Sequence, residues 1–307
     1  MCTTTLSVDH LNNEAGRLIN ASLALNTRKA YATGLASFCS FRQQQGWLSS
    51  WPPSVSEIIL YLAHLSLTNH SHKTAVSYLA ALSFQCKARS VYDPTKHFLV
   101  DKTLQGFQRS AKSKRIRLPI TVDILQGILT KLSAACRNLF ESLLFQAAFS
   151  LAFFGFFRVG EITSTGKGDV TIHKVLSIHD IRWSDDGHLV LHLRFSKADQ
   201  LGRGATIKVA RQPNISICPV QALQRYLSVR PQSSGPLFCH SNSQPLTRYQ
   251  FSAILKKSLG IFDPRLRNYS SHSFRLGAAT TASRMGWPAE KIKEMGRWSS
   301  NAYKAYI

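Results

Sequence analysis

Residues 295–307 read MGRWSSNAYKAYI, in which a glycine, an arginine and a tryptophan are followed closely by two tyrosines. Taken alone, this stretch is typical of an amphipathic helix whose tyrosines, Tyr303 and Tyr306, pack on a core. The phenol of a tyrosine also serves as a nucleophile where its surroundings activate it. The residues that precede the stretch decide between these two interpretations.

His272 and Arg275 stand three residues apart upstream of this stretch. The spacing places both side chains on one face of a helix that the sequence predicts over residues 273–285. The free backbone N–H groups at a helix start also favour anions. The pattern is weak by itself, because His179 and Arg182 repeat it.

An arginine and a glutamate follow the most apolar segment of the chain, residues 143–157. Arg158 leaves this segment, and Glu161 comes three residues later. A charge beside a buried helix is costly unless it is paired or used. An ordinary ion pair at i,i+3 explains the two residues equally well when they are taken alone.

Three segments predict a small antiparallel sheet, and the clearest strand is residues 188–195, where leucines alternate on one face. The other two strands are expected over residues 175–182 and 205–210. Lys197 follows the clearest strand and leads into a hairpin tip at residues 199–204. A lysine at the end of a strand is normally a solvated edge residue.

The order of these features is more specific than any one of them. Arg-x-x-Glu after an apolar helix, a hairpin lysine, His-x-x-Arg at a helix start, Gly-Arg-Trp and a closing tyrosine resemble the catalytic domain of the tyrosine recombinases, the phage-integrase-like family. The resemblance covers most of residues 118–307. The wording at residues 196–200 and 296–300, SKADQ and GRWSS, is most similar to recombinases of eukaryotic mobile elements such as DIRS-like retrotransposons.

The resemblance and the periodicity predict a fold that is mostly α with a small antiparallel β-sheet (α+β). Residues 1–112 are expected to form a helical, SAM-like core-binding domain that binds DNA, residues 113–121 a basic linker, and residues 122–307 the tyrosine recombinase catalytic domain. Asn26 and Ser54 are the predicted caps of the first two helices. Helices are predicted in the first domain over residues 26–45, 54–65, 75–82 and 103–110.

The charge balance indicates a polyanionic partner. The 307 residues include 38 lysines and arginines against 16 aspartates and glutamates, a net charge of +22. Double-stranded DNA is the expected partner, because each neutralised phosphate releases a counterion. A protein that is basic for solubility, or that adheres weakly to membranes, is the alternative. The basic segment around the predicted linker supplies the candidate DNA contacts Arg109, Lys112, Lys114, Arg115 and Arg117.

The cysteines and the apolar runs predict no metal site, disulfide framework or membrane span. The six cysteines are scattered and form no C-x-x-C pair. No apolar run approaches the length of about 18 residues that a membrane helix needs, and the first residues lack the pattern of a signal peptide. Reduced thiols fit the cytosol or nucleus. The mobile-element resemblance favours the nucleus, and the cytoplasm is expected if the source is not eukaryotic.

The resemblance implies a role for each residue of the constellation. Arg158 and Arg275 would clamp the non-bridging oxygens of the scissile phosphate with planar, permanently charged forks. Tyr306 would attack phosphorus and form a 3′-phosphotyrosyl link. Lys197 would protonate the leaving 5′-oxygen. The covalent link stores the energy of the broken bond, so no cofactor, ATP or metal is implied.

Three further residues complete the implied site. His272 would act as an acid or base and help to position the phosphate. Trp298 would donate one hydrogen bond from its indole N–H. Glu161 would orient either Arg158 or His272 from behind.

The closing stretch departs from the family pattern in two ways. The family usually places its nucleophile about one residue further from Trp298, at the position of Ile307, so Tyr306 is the closer match and Tyr303 the alternative. Members usually continue with a segment that packs on a neighbouring subunit of a tetramer. We therefore expect a homo-oligomer on DNA, in which formation of a tetramer is in question. We also expect this sequence to be a truncated copy, an incomplete gene model or a domesticated remnant.

The predicted function is DNA strand cleavage and rejoining, in site-specific recombination or integration, by a protein of mobile-element origin. Two alternatives stay open. One is a catalytically inactive, domesticated or truncated DNA-binding remnant. The other is a type IB topoisomerase, which the two-domain layout and the short separation of His272 from Tyr306 disfavour.

Overall fold

A computed structural model describes residues 7–47, 50–110, 118–166, 168–169, 172–196, 199, 202–262 and 268–305, with the side chains of residues 302 and 305 excepted. The chain divides into two compact units, Met1–Lys114 and Arg115–Ile307. Helices dominate both units, and the second also contains a three-stranded antiparallel sheet. This architecture confirms the predicted α+β class. Within the described ranges, no helix has both the length and the apolarity that crossing a bilayer requires.

The first unit is a helical bundle around an aromatic core. Phe38 lies edge-on to Tyr61 with ring centroids 5.0 Å apart, and Phe41 packs 5.3 Å from the same tyrosine. These rings are buried because they recur at helical spacing on facing helices. The helices are α1 (Val8–Ala21), α2 (Leu25–Gln44), α3 (Val55–Leu67), α4 (His72–Ala88) and α5 (Phe98–Ser110).

The helix starts of this unit test the predicted caps. Ser54 caps α3 in a reciprocal capping box with Glu57, as the sequence predicts. Asn26 does not cap α2, because that helix begins at Leu25 and has Ala24 in the cap position. Helix α1 is absent from the sequence predictions, since its apolar side chains stay exposed and no buried face marks it.

In the described part of the second unit, a buried helix lies among further helices, strands and short 3₁₀ turns. These elements are α6 (Val122–Thr130), α7 (Leu132–Ala135), α8 (Leu139–Phe154), α9 (Val159–Ile162), β1 (Ile181–Trp183), β2 (Leu189–Leu193), β3 (Ala205–Val209), α10 (Pro219–Leu227), α11 (Arg248–Phe262), α12 (His272–Arg284) and α13 (Ala289–Met295).

Helix α8 is the centre of the second unit. Asn138 caps it, and its apolar sequence is buried nearly all round. The ring of Phe149 lies 4.7 Å from that of Phe251 on α11 and 5.2 Å from that of Phe274 on α12. Because Phe274 precedes Arg275, this aromatic contact fixes where Arg275 stands relative to the end of α8.

The sheet has the strand order β1-β2-β3, and Leu191 of β2 pairs with Ile181 on one side and Ile207 on the other. The leucines of β2 alternate inward and are buried, as predicted. The first strand is shorter than expected. Residues 177–180 instead form a 3₁₀ turn, because the buried Asp180 carboxylate accepts from the backbone of Ser177 and pairs with Arg194.

The start of α12 is fixed by a close backbone contact. Ile120, which the sequence places in the linker, is fully buried, and its backbone N–H donates to Ser273 O at 3.0 Å. A Cβ on Gly277 would overlap the carbonyl group of Ile120. Only glycine therefore lets this segment lie against α12.

Gly277→Ala is expected to lower the free energy of unfolding by about 2 kcal/mol, because the new methyl group meets backbone that must shift. Chemical denaturation measures the change. Gly260→Ala on α11 is the matched control, since nothing lies within 4 Å of its added Cβ. The control should raise stability by about 0.5 kcal/mol. Equal effects of the two substitutions would contradict the proposed packing.

Candidate active site

The turn after α8 presents Arg158. The helix ends at Phe154, and Phe156 takes a left-handed conformation with φ +51°. Arg158 then stands in the cap position of α9. Its backbone N–H donates to Glu161 Oε2 at 2.8 Å, and its Nη1 donates to Glu161 Oε1 at 2.9 Å. Glu161 therefore holds both the main chain and the side chain of this arginine.

The Arg158 side chain is partly open to solvent, with 24% of its surface exposed, whereas the Glu161 side chain is 5% exposed. Within the part of the chain that the structure describes, Glu161 is the one partner found for the Arg158 guanidinium. Its Nε and Nη2 donors thus remain open for an outside ligand. A fork of this kind fits two oxygens of a phosphate.

Arg297 is a second arginine on the same carboxylate. Its Nη2 lies 3.0 Å from Glu161 Oε2. Its guanidinium also donates at 3.2 Å to each of three main-chain carbonyls, those of Gly155, Phe156 and Met295. Arg297 stands within the Gly-Arg-Trp motif, and the sequence predicts no role for it. The sequence does contain one signal for Arg297. Glu161 is the single acidic residue among the predicted site residues, which include Arg158 and Arg275, and a lone carboxylate among arginines can pair with a further one.

Arg275 is buried at 1% exposure on α12. Its Nη1 donates to Phe156 O at 2.6 Å, and its Nη2 donates to Gly296 O. Its guanidinium lies 4.2 Å from the ring centroid of Trp298, in a cation–π contact. The Phe156 carbonyl is therefore shared by Arg275 and Arg297.

Trp298 covers Arg275 and packs against two further aromatic rings. The Trp298 ring lies 6.4 Å from that of Phe156 and 6.1 Å from that of Tyr303. Tyr303 is 3% exposed and belongs to a short 3₁₀ helix, Asn301–Ala305, where the sequence predicts an α-helix. The alternative nucleophile is thus a buried packing partner of Trp298.

The structure brings together four of the predicted residues, Arg158, Glu161, Arg275 and Trp298. His272 is the first residue of α12, three residues before Arg275, as predicted. Of the two partners expected for Glu161, Arg158 occupies its carboxylate. Two predicted catalytic residues, Lys197 and Tyr306, lie outside the described residues.

The predicted DNA contacts are described at one position. Arg109 is exposed in the last turn of α5. Lys112, Lys114, Arg115 and Arg117 lie outside the described residues. Across the described ranges, no group of three or more His, Cys, Asp or Glu side chains is placed to hold a metal ion.

The cluster carries more positive charge than it neutralises. Arg158, Arg275 and Arg297 converge on one carboxylate and one turn of main chain, which leaves a formal charge of about +2. Burial lowers the pKa of Arg297, and the neighbouring Glu161 opposes that effect. An arginine stays charged under these conditions. The arrangement therefore attracts an anion with several oxygens, such as a phosphodiester.

Comparisons with known proteins identify the family. Residues 128–306 match the model of the Phage integrase family. This segment exceeds half of the chain, and the chain belongs to the phage integrase, or tyrosine recombinase, family. The predicted family is confirmed.

A curated relative and two solved structures extend the likeness beyond this segment. The integrase/recombinase xerD homolog of Selenomonas ruminantium is 26% identical, over 95% of this chain and 84% of the relative. The XerH site-specific recombinase bound to palindromic difH substrate superposes with a TM-score of 0.67 at 16% identity, covering 91% of this chain and 75% of that one. The Tn1549 transposon integrase in complex with circular intermediate DNA gives a TM-score of 0.61 at 13% identity, over 99% and 95%. The two structures share the fold.

Glu161→Gln is expected to lower the free energy of unfolding by roughly 3 kcal/mol, because the buried Glu161 carboxylate is the counterion of both Arg158 and Arg297. Urea unfolding followed by tryptophan fluorescence measures the loss. Glu14→Gln is the matched control, since Glu14 and Arg17 form an exposed ion pair with the same i,i+3 spacing. The control should show no measurable change. A Glu161→Gln variant as stable as the control would contradict the buried network.

Proposed function

We propose that this protein cleaves and rejoins DNA strands, in site-specific recombination or integration, through a covalent 3′-phosphotyrosine. The cluster of Arg158, Glu161 and Arg275 within the segment that matches the family carries the proposal. Cleavage of a phosphodiester adds negative charge to a pentacovalent phosphorus, and preformed guanidiniums stabilise that charge more than they stabilise the substrate.

The two proposed phosphate-binding arginines differ in how they act. Arg158 offers Nε and Nη2 as open donors, and it takes the non-bridging oxygens bidentately. Arg275 is buried beneath Trp298, with its Nη donors on main-chain carbonyls. It supplies positive charge close to the site in a medium of low polarity, where a fixed charge acts strongly.

The proposed reaction exchanges one ester bond for another. The Tyr306 phenol loses its proton to a base, for which His272 is the candidate, and its oxygen bonds to phosphorus. The bond from phosphorus to the 5′-oxygen breaks, and Lys197 gives that oxygen a proton. Rejoining reverses these steps with a 5′-hydroxyl as the nucleophile, so no external energy source is required.

The proposed substrate is double-stranded DNA. The net charge of +22 supports it, and Arg109 with the basic segment Lys112, Lys114, Arg115 and Arg117 is proposed to bind phosphates. The solved relatives named above were captured with DNA. We include a homo-oligomer on DNA in the proposal, because strand exchange between two duplexes needs more than one active site.

We propose a mobile-element origin, to which the likeness to a transposon integrase gives support. The finer placement among eukaryotic DIRS-like elements rests on the wording of SKADQ and GRWSS, and the nuclear localisation rests on that placement. The curated relative is bacterial, and the comparisons support neither of these two finer assignments.

A DNA-binding protein without catalysis is the second candidate. The burial of Arg275, whose Nη donors face carbonyls of its own chain, favours this candidate. DNA binding that weakens with salt, without a covalent adduct on any duplex, would identify it.

Tyr306→Phe is expected to abolish covalent capture of DNA, because the ring without its oxygen cannot form the phosphate ester. The assay incubates the protein with nicked duplexes of randomised sequence, so that the short cleaved strand diffuses away. A detergent-resistant protein–DNA adduct is then measured and its DNA sequenced.

Tyr303→Phe is the matched control for this assay. It keeps the buried ring on Trp298 and should retain the adduct. An adduct that persists in Tyr306→Phe and disappears in Tyr303→Phe would move the nucleophile to Tyr303. No adduct from the wild-type chain on any duplex would support the second candidate.

Lys197→Ala is expected to slow cleavage of an ordinary phosphodiester by about 10²-fold or more, because the 5′-oxygen must leave without a proton. The same variant should cleave a duplex with sulfur at the bridging 5′ position close to the wild-type rate, since a thiolate leaves unaided. Single-turnover adduct formation on both duplexes measures the difference. A comparable loss on the sulfur duplex would remove Lys197 as the general acid.

A further inference from the structure

Arg297 lies between the two arginines that we assign to the scissile phosphate. It shares the Glu161 carboxylate with Arg158 and the Phe156 carbonyl with Arg275. We propose that Arg297 is a positioning residue, which sets the separation of Arg158 and Arg275 and thereby the rate of DNA cleavage. The inference rests on the proposed function and deepens it.

The Glu161 carboxylate connects Arg297 to Arg158. Glu161 accepts Arg158 Nη1 on Oε1, and it accepts both the Arg158 backbone N–H and Arg297 Nη2 on Oε2. The Glu161 side chain is 5% exposed, and that of Arg297 is 12% exposed. Little water is therefore present to replace a lost partner, and without Arg297 the Glu161 carboxylate and Arg158 would be free to shift together.

The main chain at the end of α8 connects Arg297 to Arg275. Arg297 donates to two carbonyls of this turn, Gly155 O and Phe156 O, and to Met295 O at the end of α13. Phe156 has φ +51° and Arg297 itself has φ +54°, which residues with side chains rarely adopt. Surrounding bonds must hold such a backbone in place. The Arg297 guanidinium supplies two of these bonds and helps to fix the Phe156 carbonyl, which also accepts from Arg275.

Arginine suits this position and lysine does not. Four acceptors on three segments surround one planar group, and a guanidinium directs five N–H donors in that plane. The ring of Phe157 packs 5.2 Å from the guanidinium. Arg297 could reach DNA only by leaving Glu161 and the carbonyls, so it acts through its neighbours and not on the phosphate.

The test removes the side chain and returns its charged group. Arg297→Ala is assayed for single-turnover cleavage at saturating DNA, on a nicked duplex recovered from the randomised pool with the wild-type chain. The rate is expected to fall by about 10²-fold, which is typical when a catalytic group moves by about an ångström. Affinity for the same duplex, measured by gel shift, should stay within about threefold.

Added guanidinium ion should restore part of the rate of Arg297→Ala, because it fits the vacated site and carries the missing charge. Urea is the control additive, since it is planar and of similar size but neutral, and it should restore nothing. A merely structural role would lower DNA affinity and cleavage together, whereas a positioning role lowers the cleavage rate alone. Arg225→Ala, on an exposed face of α10, is the matched control variant and should cleave at the wild-type rate.

Arg297→Lys extends the test where the alanine variant does not fold. It keeps the charge but not the planar fork, so cleavage should fall by about tenfold with DNA affinity unchanged. Wild-type cleavage by a folded Arg297 variant would overturn the role of Arg297 alone. Equal rescue by guanidinium and urea would do the same. No adduct from the wild-type chain would overturn the proposed function, and this inference with it.

Discussion

The carbonyl group of Phe156 is the point on which the arrangement of this site depends. Helix α8 is buried because its apolar residues pack on α11 and α12, and it can bring Arg158 out only by turning sharply at its end. Phe156 makes that turn with φ +51°. Its carbonyl accepts hydrogen bonds from Arg275 and Arg297, which arrive from α12 and from the end of α13. A main-chain oxygen far from either arginine in sequence therefore joins three segments.

In this arrangement the three positively charged arginines have different environments. Guanidiniums repel one another, and a cluster of them is stable only where acceptors separate them. Glu161 lies between Arg158 and Arg297, and the Phe156 carbonyl lies between Arg297 and Arg275. The two inner arginines have their Nη donors on acceptors of the protein. Among the described residues, Arg158 has acceptors for only part of its guanidinium, so the excess positive charge of the cluster is presented to a ligand through this one side chain.

The sequence predicts much of this site but not the turn at Phe156 on which it depends. The spacing of Arg158 and Glu161 predicts their ion pair, which the structure confirms at 2.9 Å. The His-x-x-R pattern alone predicts little, because its other copy, His179 and Arg182, runs from a 3₁₀ turn into β1. The order of the motifs identifies the family. The left-handed turn could not be predicted, since Phe156 is not a glycine and tertiary contacts alone determine its φ.

The burial of Tyr303 bears on which tyrosine attacks. Its ring is 3% exposed and packs on Trp298, which in turn covers the Arg275 guanidinium. To reach a phosphate, Tyr303 would have to leave Trp298 and uncover Arg275, which the proposed reaction needs in place. A side chain that maintains the site by staying buried is poorly suited to bond covalently with a substrate outside it. The packing of Tyr303 thus favours Tyr306, three residues further on, as the nucleophile.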